Sequence, residues 1–89
     1  MKRIFKYEIP IQHIIHIELP QESKIISFQN QNEIACIWAI VDNSFPLESR
    51  TFILIGTGQE LSESCLNYIG TCQMMGGNLV WHLFELISE

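Results

Sequence analysis

A small all-β domain, an antiparallel β-sandwich or barrel-like fold of about seven strands, follows from three features of the sequence. Apolar and polar residues alternate with period two along most of the chain, and the three-and-four spacing of an amphipathic helix is nearly absent. Pro, Gly, Asn, Asp and Ser cut the alternating runs into segments of similar length. The 89 residues, 47% of them apolar, suffice for one hydrophobic core over 1–89 and leave no room for a second domain.

The first strand runs from Arg3 to Ile9, with Phe5, Tyr7 and Ile9 on one face and Ile4, Lys6 and Glu8 on the other; Pro10 ends it. Gln12 to Leu19 repeats the pattern, with Ile15, Ile17 and Leu19 opposite Gln12, Ile14, His16 and Glu18, and Pro20-Gln21-Glu22-Ser23 forms a turn. Lys24 to Gln29 and Ile34 to Asp42 read as a hairpin around the polar tetrad Asn30-Gln31-Asn32-Glu33. The second of these strands is apolar on both faces, Ile34, Cys36, Trp38 and Ile40 against Ala35, Ile37, Ala39 and Val41, which predicts a central strand covered on both sides.

Asp42 to Glu48 is predicted as a loop, and Arg50 to Ile55 as a strand with Phe52 and Leu54 opposite Thr51, Ile53 and Ile55. That strand runs into Gly56-Thr57-Gly58. Gln59 to Leu66 reads as a loop or a single helical turn, because Ser62 suits a cap and Glu63 a first turn. Asn67 to Met74 and Leu79 to Leu86 form a last hairpin about Gly76-Gly77. Trp38, Ile40, Phe52, Leu54 and Trp81 are the predicted buried residues.

Composition excludes several classes of function. The net charge is −5, and the only cations are Lys2, Arg3, Lys6, Lys24 and Arg50. Duplex nucleic acid needs clustered Lys and Arg to replace its counterions, so a duplex-binding surface is not expected. The longest apolar run, Ile34 to Val41, is far short of the roughly 20 residues of a spanning helix, and the charged start lacks a signal peptide's pattern. Three cysteines, Cys36, Cys65 and Cys72, with no closely spaced pair, read as thiols of a reducing cytoplasm, without a disulfide.

Catalytic and metal signatures are also missing. His13 and His16 are an odd number apart, so a strand points them to opposite faces, and Cys65, Cys72 and His82 add no ligand pair. No metal and no cofactor are expected. Cys36 is in phase with Ile34, Trp38 and Ile40, as a core thiol would be, and no serine stands in a nucleophile elbow. A non-enzymatic role is therefore expected.

The residues that remain suit ligand binding. Gly56-Thr57-Gly58 follows a strand, where successive backbone N–H groups form an anion nest or the glycines simply serve a turn. Thr57 and Gln59 present hydrogen-bonding side chains beside it. His82 lies in phase with Val80, Phe84 and Leu86, and a ring on such a face must find a partner in the fold or in a ligand. Arg50 is the nearest cation in sequence, though at the other end of its strand. Gly56, Thr57, Gly58, Gln59, His82 and Arg50 are thus the candidate ligand-binding residues. Ile4 and Ile14 sit among charged and polar residues, as interface residues do, so a homo-oligomer is expected.

Phe5-Lys6-Tyr7-Glu8-Ile9, Trp38, Gly56-Thr57-Gly58, Tyr68-Ile69-Gly70-Thr71, and Gly76-Gly77 followed by Leu79-Val80-Trp81-His82-Leu83-Phe84-Glu85 resemble a family of short phage- and prophage-encoded proteins of unknown function. The likeness runs nearly end to end, apart from the segment around His13 and His16. It implies a phage-associated setting in a bacterial cytoplasm and supplies no catalytic residue. In that setting the expected function is a counter-defence protein that sequesters a small signalling nucleotide. The alternatives are a blocker of a host defence or nucleic-acid-binding protein acting through an acidic surface, and, third, a small hydrolase using His82 and a thiol.

Overall fold

Backbone pairing sorts the alternating segments into two antiparallel sheets. The computed structural model describes residues 1–87. In chain order the strands are β1 (Lys2–Glu8), β2 (Ile14–Pro20), β3 (Lys24–Gln31), β4 (Ile34–Asp42), β5 (Leu47–Gly56), β6 (Leu66–Met74) and β7 (Leu79–Leu86). A single 3-10 turn, Met75–Gly77, joins the last two. One sheet has the order β1-β4-β3 and the other β2-β5-β7-β6. The protein is an all-β sandwich of seven strands, as the alternation predicts. Among the described residues no helix is long and apolar enough to cross a membrane.

The core lies between the sheets. Ala35, Ile37, Ala39 and Val41 of β4 and Phe28 of β3 meet Ile15 and Leu19 of β2, Phe52 and Leu54 of β5, Cys72 and Met74 of β6 and Leu83 of β7. These are the inward halves of the alternating patterns, so removal of their apolar surface from water is what holds the layers together.

Two expectations are corrected here. β4 is central in its sheet, but only one of its faces is covered by the other sheet. Trp38 and Ile40 lie on the outer face and are half-buried, and Ile4, their neighbour through the Ile4↔Ile40 pair, is 61% exposed. Trp81 is also half-buried, at the end of the inner face opposite Gly56, whereas Phe52 and Leu54 are buried as predicted. Cys36 is buried on the outer side of β4, flanked through the register by Glu8 and Gln29, and this burial pushes its thiol pKa up.

The strand bounds differ from the sequence expectation by one or two residues at β1, β2 and β3, where β2 opens at Ile14 and β3 runs on to Gln31, and most at β5. It begins at Leu47 rather than Arg50, because Leu47, Glu48 and Ser49 pair with Pro20, Leu19 and Glu18 of β2. The connection after β4 is accordingly a tight turn, closed by Phe45 N donating to Asp42 O at 3.0 Å.

The sheets join along β3 and β6. Each strand carries a register shift there, between Ile25 and Ser27 and between Tyr68 and Gly70, and such bulges let a strand bend toward its neighbour. Gly70 makes the close approach feasible: a Cβ at this position would stand 3.3 Å from Phe28 Cβ. Asn30 Nδ2 donates to Gln73 O at 3.0 Å.

Glu33 completes this seam. Its carboxylate accepts from Asn30 Nδ2 at 2.8 Å and from Met75 N at 2.8 Å, tying the β3–β4 turn to the β6–β7 turn. These bonds, that from Asn30 first, hold its pKa below the ordinary carboxylate value. A carboxyl depressed in the folded state contributes stability above its unfolded pKa, and that stability is lost as pH falls through the folded one. Glu33→Gln should therefore flatten part of the acid limb of a stability-versus-pH curve measured by denaturant titration. An unchanged acid limb would show that the seam does not depend on the charge.

Candidate functional site

The site grows out of the strand order. β5 and β6 are both antiparallel to β7, which lies between them, so they run parallel to each other. Residues 57–65 must then return along the sheet from the end of β5 to the start of β6. The inner face is filled, so the return crosses the outer one. Ile53 and Ile55 point to that face yet are only 1% and 5% exposed, as residues beneath a crossover are. His13 Nε2 meets Glu63 Oε2 at 2.8 Å and Ile87 N donates to Cys65 O at 2.9 Å, which fasten the crossover at both sides. The His13 ring holds the Glu63 carboxyl below its ordinary pKa.

The crossover starts with a turn that closes on itself. Gly56 N donates to Gln59 Oε1 at 2.6 Å, Gln59 N to Gly56 O at 3.1 Å, and Thr57 N to Val80 O at 3.2 Å. Gly58 takes φ +90°, a conformation that favours glycine. Three of the four amides in the turn are thus engaged inside the fold, which leaves little of an anion nest. The Thr57 side chain folds back onto the outer face of the sheet, and its Oγ1 stands 2.7 Å from His82 Nε2.

His82 is half-buried, and hydroxyls occupy both ring nitrogens. Nδ1 is 2.9 Å from Thr71 Oγ1, which in turn is 2.6 Å from the Tyr68 hydroxyl. Thr71 stands opposite His82 in the β6–β7 register, so the sheet itself sets this contact. Tyr68 is further fixed by an edge-on contact with Phe84, ring centroids 5.6 Å apart. The result is a hydrogen-bonded chain, Tyr68–Thr71–His82–Thr57, that ties β6, β7 and the crossover together.

Two clefts open beside this turn. One, of about 240 Å³, is lined by Gly56, Thr57, Gln59, Asn78, Leu79, Val80 and Trp81. The other, of about 370 Å³, includes Gln12, His13, Ile55, Gln59, Glu60 and Trp81. Gln59 and Trp81 belong to both, as a shared wall. No Lys or Arg lines either cleft. The indole Nε1 of Trp81 is buried and finds no acceptor among the described residues.

The whole chain, residues 1–89, matches the family described as Domain of unknown function (DUF7352). The chain belongs to that family. No curated protein and no solved structure matches it. The family description names no activity, so the roles of individual residues rest on the geometry.

Of the six residues singled out from the sequence, the structure brings five together. Gly56, Thr57, Gly58 and Gln59 form the turn, and His82 bonds to Thr57. Arg50 lies apart, about 20 Å along β5 from Gly56 at ~3.3 Å per residue. There its guanidinium is bonded to Glu85 and to Ser23 O. His16 bonds to Thr51 at 3.0 Å on the outer face, and His13 precedes β2 and serves the crossover. Among the described residues no three His, Cys, Asp or Glu side chains come together as a metal site. Sequence reasoning missed Asn78, Gln12 and the His13–Glu63 bond, since period-two patterns carry no strand order.

Proposed function

We propose that this domain is a non-catalytic binding protein that takes the base of a small nucleotide in the clefts beside Gln59 and Trp81. The observation that carries this reading is the shared wall. An indole ring suits stacking, and the amides of Gln12, Gln59 and Asn78 combine donors and acceptors, as the edge of a heteroaromatic base requires. Cleft volumes of this order fit a small ligand. The absence of Lys and Arg from the lining, the presence of Glu60, and the internally bonded turn argue for recognition of the base, with phosphate left toward solvent. In the phage setting that the resemblance implies, the role is sequestration of a host signalling nucleotide.

Calorimetry against mononucleotides and cyclic and linear dinucleotides tests this. One base-containing ligand should bind tightly, and Trp81→Leu should weaken it about tenfold or more, the scale of a lost base–aromatic stack. Gln59→Ala should weaken it as well. Purified protein should also carry absorbance near 260 nm. No binding across the panel would overturn the proposal.

A second reading, a blocker of a host protein, is favoured by the outer face of the three-stranded sheet. Ile4, Ile34 and Ile26 are exposed there beside half-buried Trp38 and Ile40, in a chain of net charge −5. A stable stoichiometric complex with a host protein, formed without nucleotide, would support it.

A further inference from the structure

The free edge of β1 has a feature independent of the clefts. β1 ends the order β1-β4-β3, so one of its edges pairs with no strand among the described residues. Every residue of it but Tyr7 is exposed. Ile9 N donates to Ala35 O at 2.8 Å, and the β1–β4 register is unbroken from Lys2↔Asp42 to Glu8↔Cys36. In an antiparallel ladder the residues that bond a neighbour alternate with those that do not. Arg3, Phe5 and Tyr7 therefore direct their backbone groups to β4, and Lys2, Ile4, Lys6 and Glu8 direct theirs to the open edge.

That parity limits how a second copy fits. Antiparallel pairing of β1 with itself must set even residues opposite even residues, and a register that pairs at least five of the strand's seven residues then has its centre at Ile4, Phe5 or Lys6. A centre at Ile4 puts Lys2 opposite Lys6, and a centre at Lys6 puts Lys6 opposite itself; both set like charges face to face, which is unfavourable. A centre at Phe5 puts Lys2 opposite Glu8 twice, Arg3 opposite Tyr7 twice, Ile4 opposite Lys6 twice, and Phe5 opposite Phe5. Charge pairs, cation–aromatic pairs and an aromatic pair then all coincide in one register.

The β2 edge is the poorer match: a centre at Ile17 sets His16 opposite Glu18 but pairs Ile14 with Pro20. Leu54 N donates to His13 O, so Ile14, His16, Glu18 and Pro20 of β2 face outward, and Pro20 has no N–H to give. Lysines commonly protect an open edge from pairing. On β1 the Lys2 charge is instead complemented by Glu8 of the same strand read in reverse.

We propose that the protein dimerises through β1, antiparallel and centred on Phe5, to make a continuous six-stranded sheet β3-β4-β1-β1-β4-β3 across a two-fold axis. The partner is a second copy of this chain. Sedimentation velocity over a concentration series on the full chain tests it. The parent should be a dimer. Lys6→Pro should dissociate it, because it removes an N–H from the open edge and none from the β1–β4 ladder, while Lys6→Ala should not. Lys2→Glu and Glu8→Lys should each weaken the dimer about tenfold, and the double exchange should return it to near the parent value. Should Lys6→Pro lose its strand spectrum, the charge exchange decides alone. A parent that stays monomeric to its solubility limit overturns the proposal. So does a dimer indifferent to the charge exchanges, and one that instead dissociates with Trp38→Lys lies on the outer sheet face.

Discussion

Truncating Phe52 to alanine should destabilise the domain by about 3–5 kcal/mol, the range for large aromatic deletions in a core. Phe52 is fully buried, it lies on β5, one of the two inner strands of the larger sheet, and its side chain sits in the interlayer with Ile37, Val41 and Leu83. The sheets face each other across that layer, so the surrounding strands cannot collapse into the void without breaking their ladders. Trp38→Ala should cost less, about half as much or below, although tryptophan is the larger residue. Its ring is half-buried on the outer face of β4 and leaves no closed cavity when removed. Denaturant unfolding of both variants checks the order. A Trp38→Ala loss equal to or above that of Phe52→Ala would mean that the outer face of β4 is covered in solution, as a face-to-face association would cover it.

That pair of residues shows how much was legible beforehand. Seven strands could be read because period-two alternation and turn residues act locally, and each strand was found. On β5 Phe52 and Leu54 were expected inside and lie there, but Ile53 and Ile55 opposite them are as apolar and are buried as well, beneath the crossover. On β4 the alternation did not choose a face: Ala35, Ile37, Ala39 and Val41 are no more apolar than Cys36, Trp38 and Ile40, so hydrophobicity alone gave both faces equal claim. Packing chose the face with two alanines, which keeps it low while Phe28 and Phe52 fill the layer.

The site divides in the same way. Thr57 and His82 lay near each other in the sequence argument because a glycine turn ends one strand and His82 stands early in another. Their 2.7 Å contact nevertheless depends on β7 pairing with β5, which alternation does not encode. The bond between His13 and Glu63 spans fifty residues and depends on a crossover that exists only because β7 separates β5 from β6.

Replacing Arg50 with methionine should destabilise the domain by about 2–3 kcal/mol, between the values for exposed and fully buried pairs. Nε and Nη2 of Arg50 donate to Glu85 Oε2 and Oε1 at 2.6 and 2.7 Å, and Nη1 donates to Ser23 O at 2.6 Å. One planar group thereby fixes β5, β7 and the turn after β2, and the Glu85 bond raises the already high Arg50 pKa. The two side chains are 19% and 18% exposed, so a Glu85 carboxylate left alone is incompletely hydrated. Arg50→Lys should recover only part of the loss, because an ammonium cannot bridge both carboxylate oxygens and Ser23 O together. The double change Arg50→Met with Glu85→Leu should be more stable than Arg50→Met alone, since no charge is then stranded. A strictly additive double mutant would refute the coupling. The same Arg50→Met protein separates two views of the ligand site. Arg50 lines neither cleft, so nucleotide affinity should be unchanged in it, and a large loss of affinity would place phosphate recognition at the far end of β5.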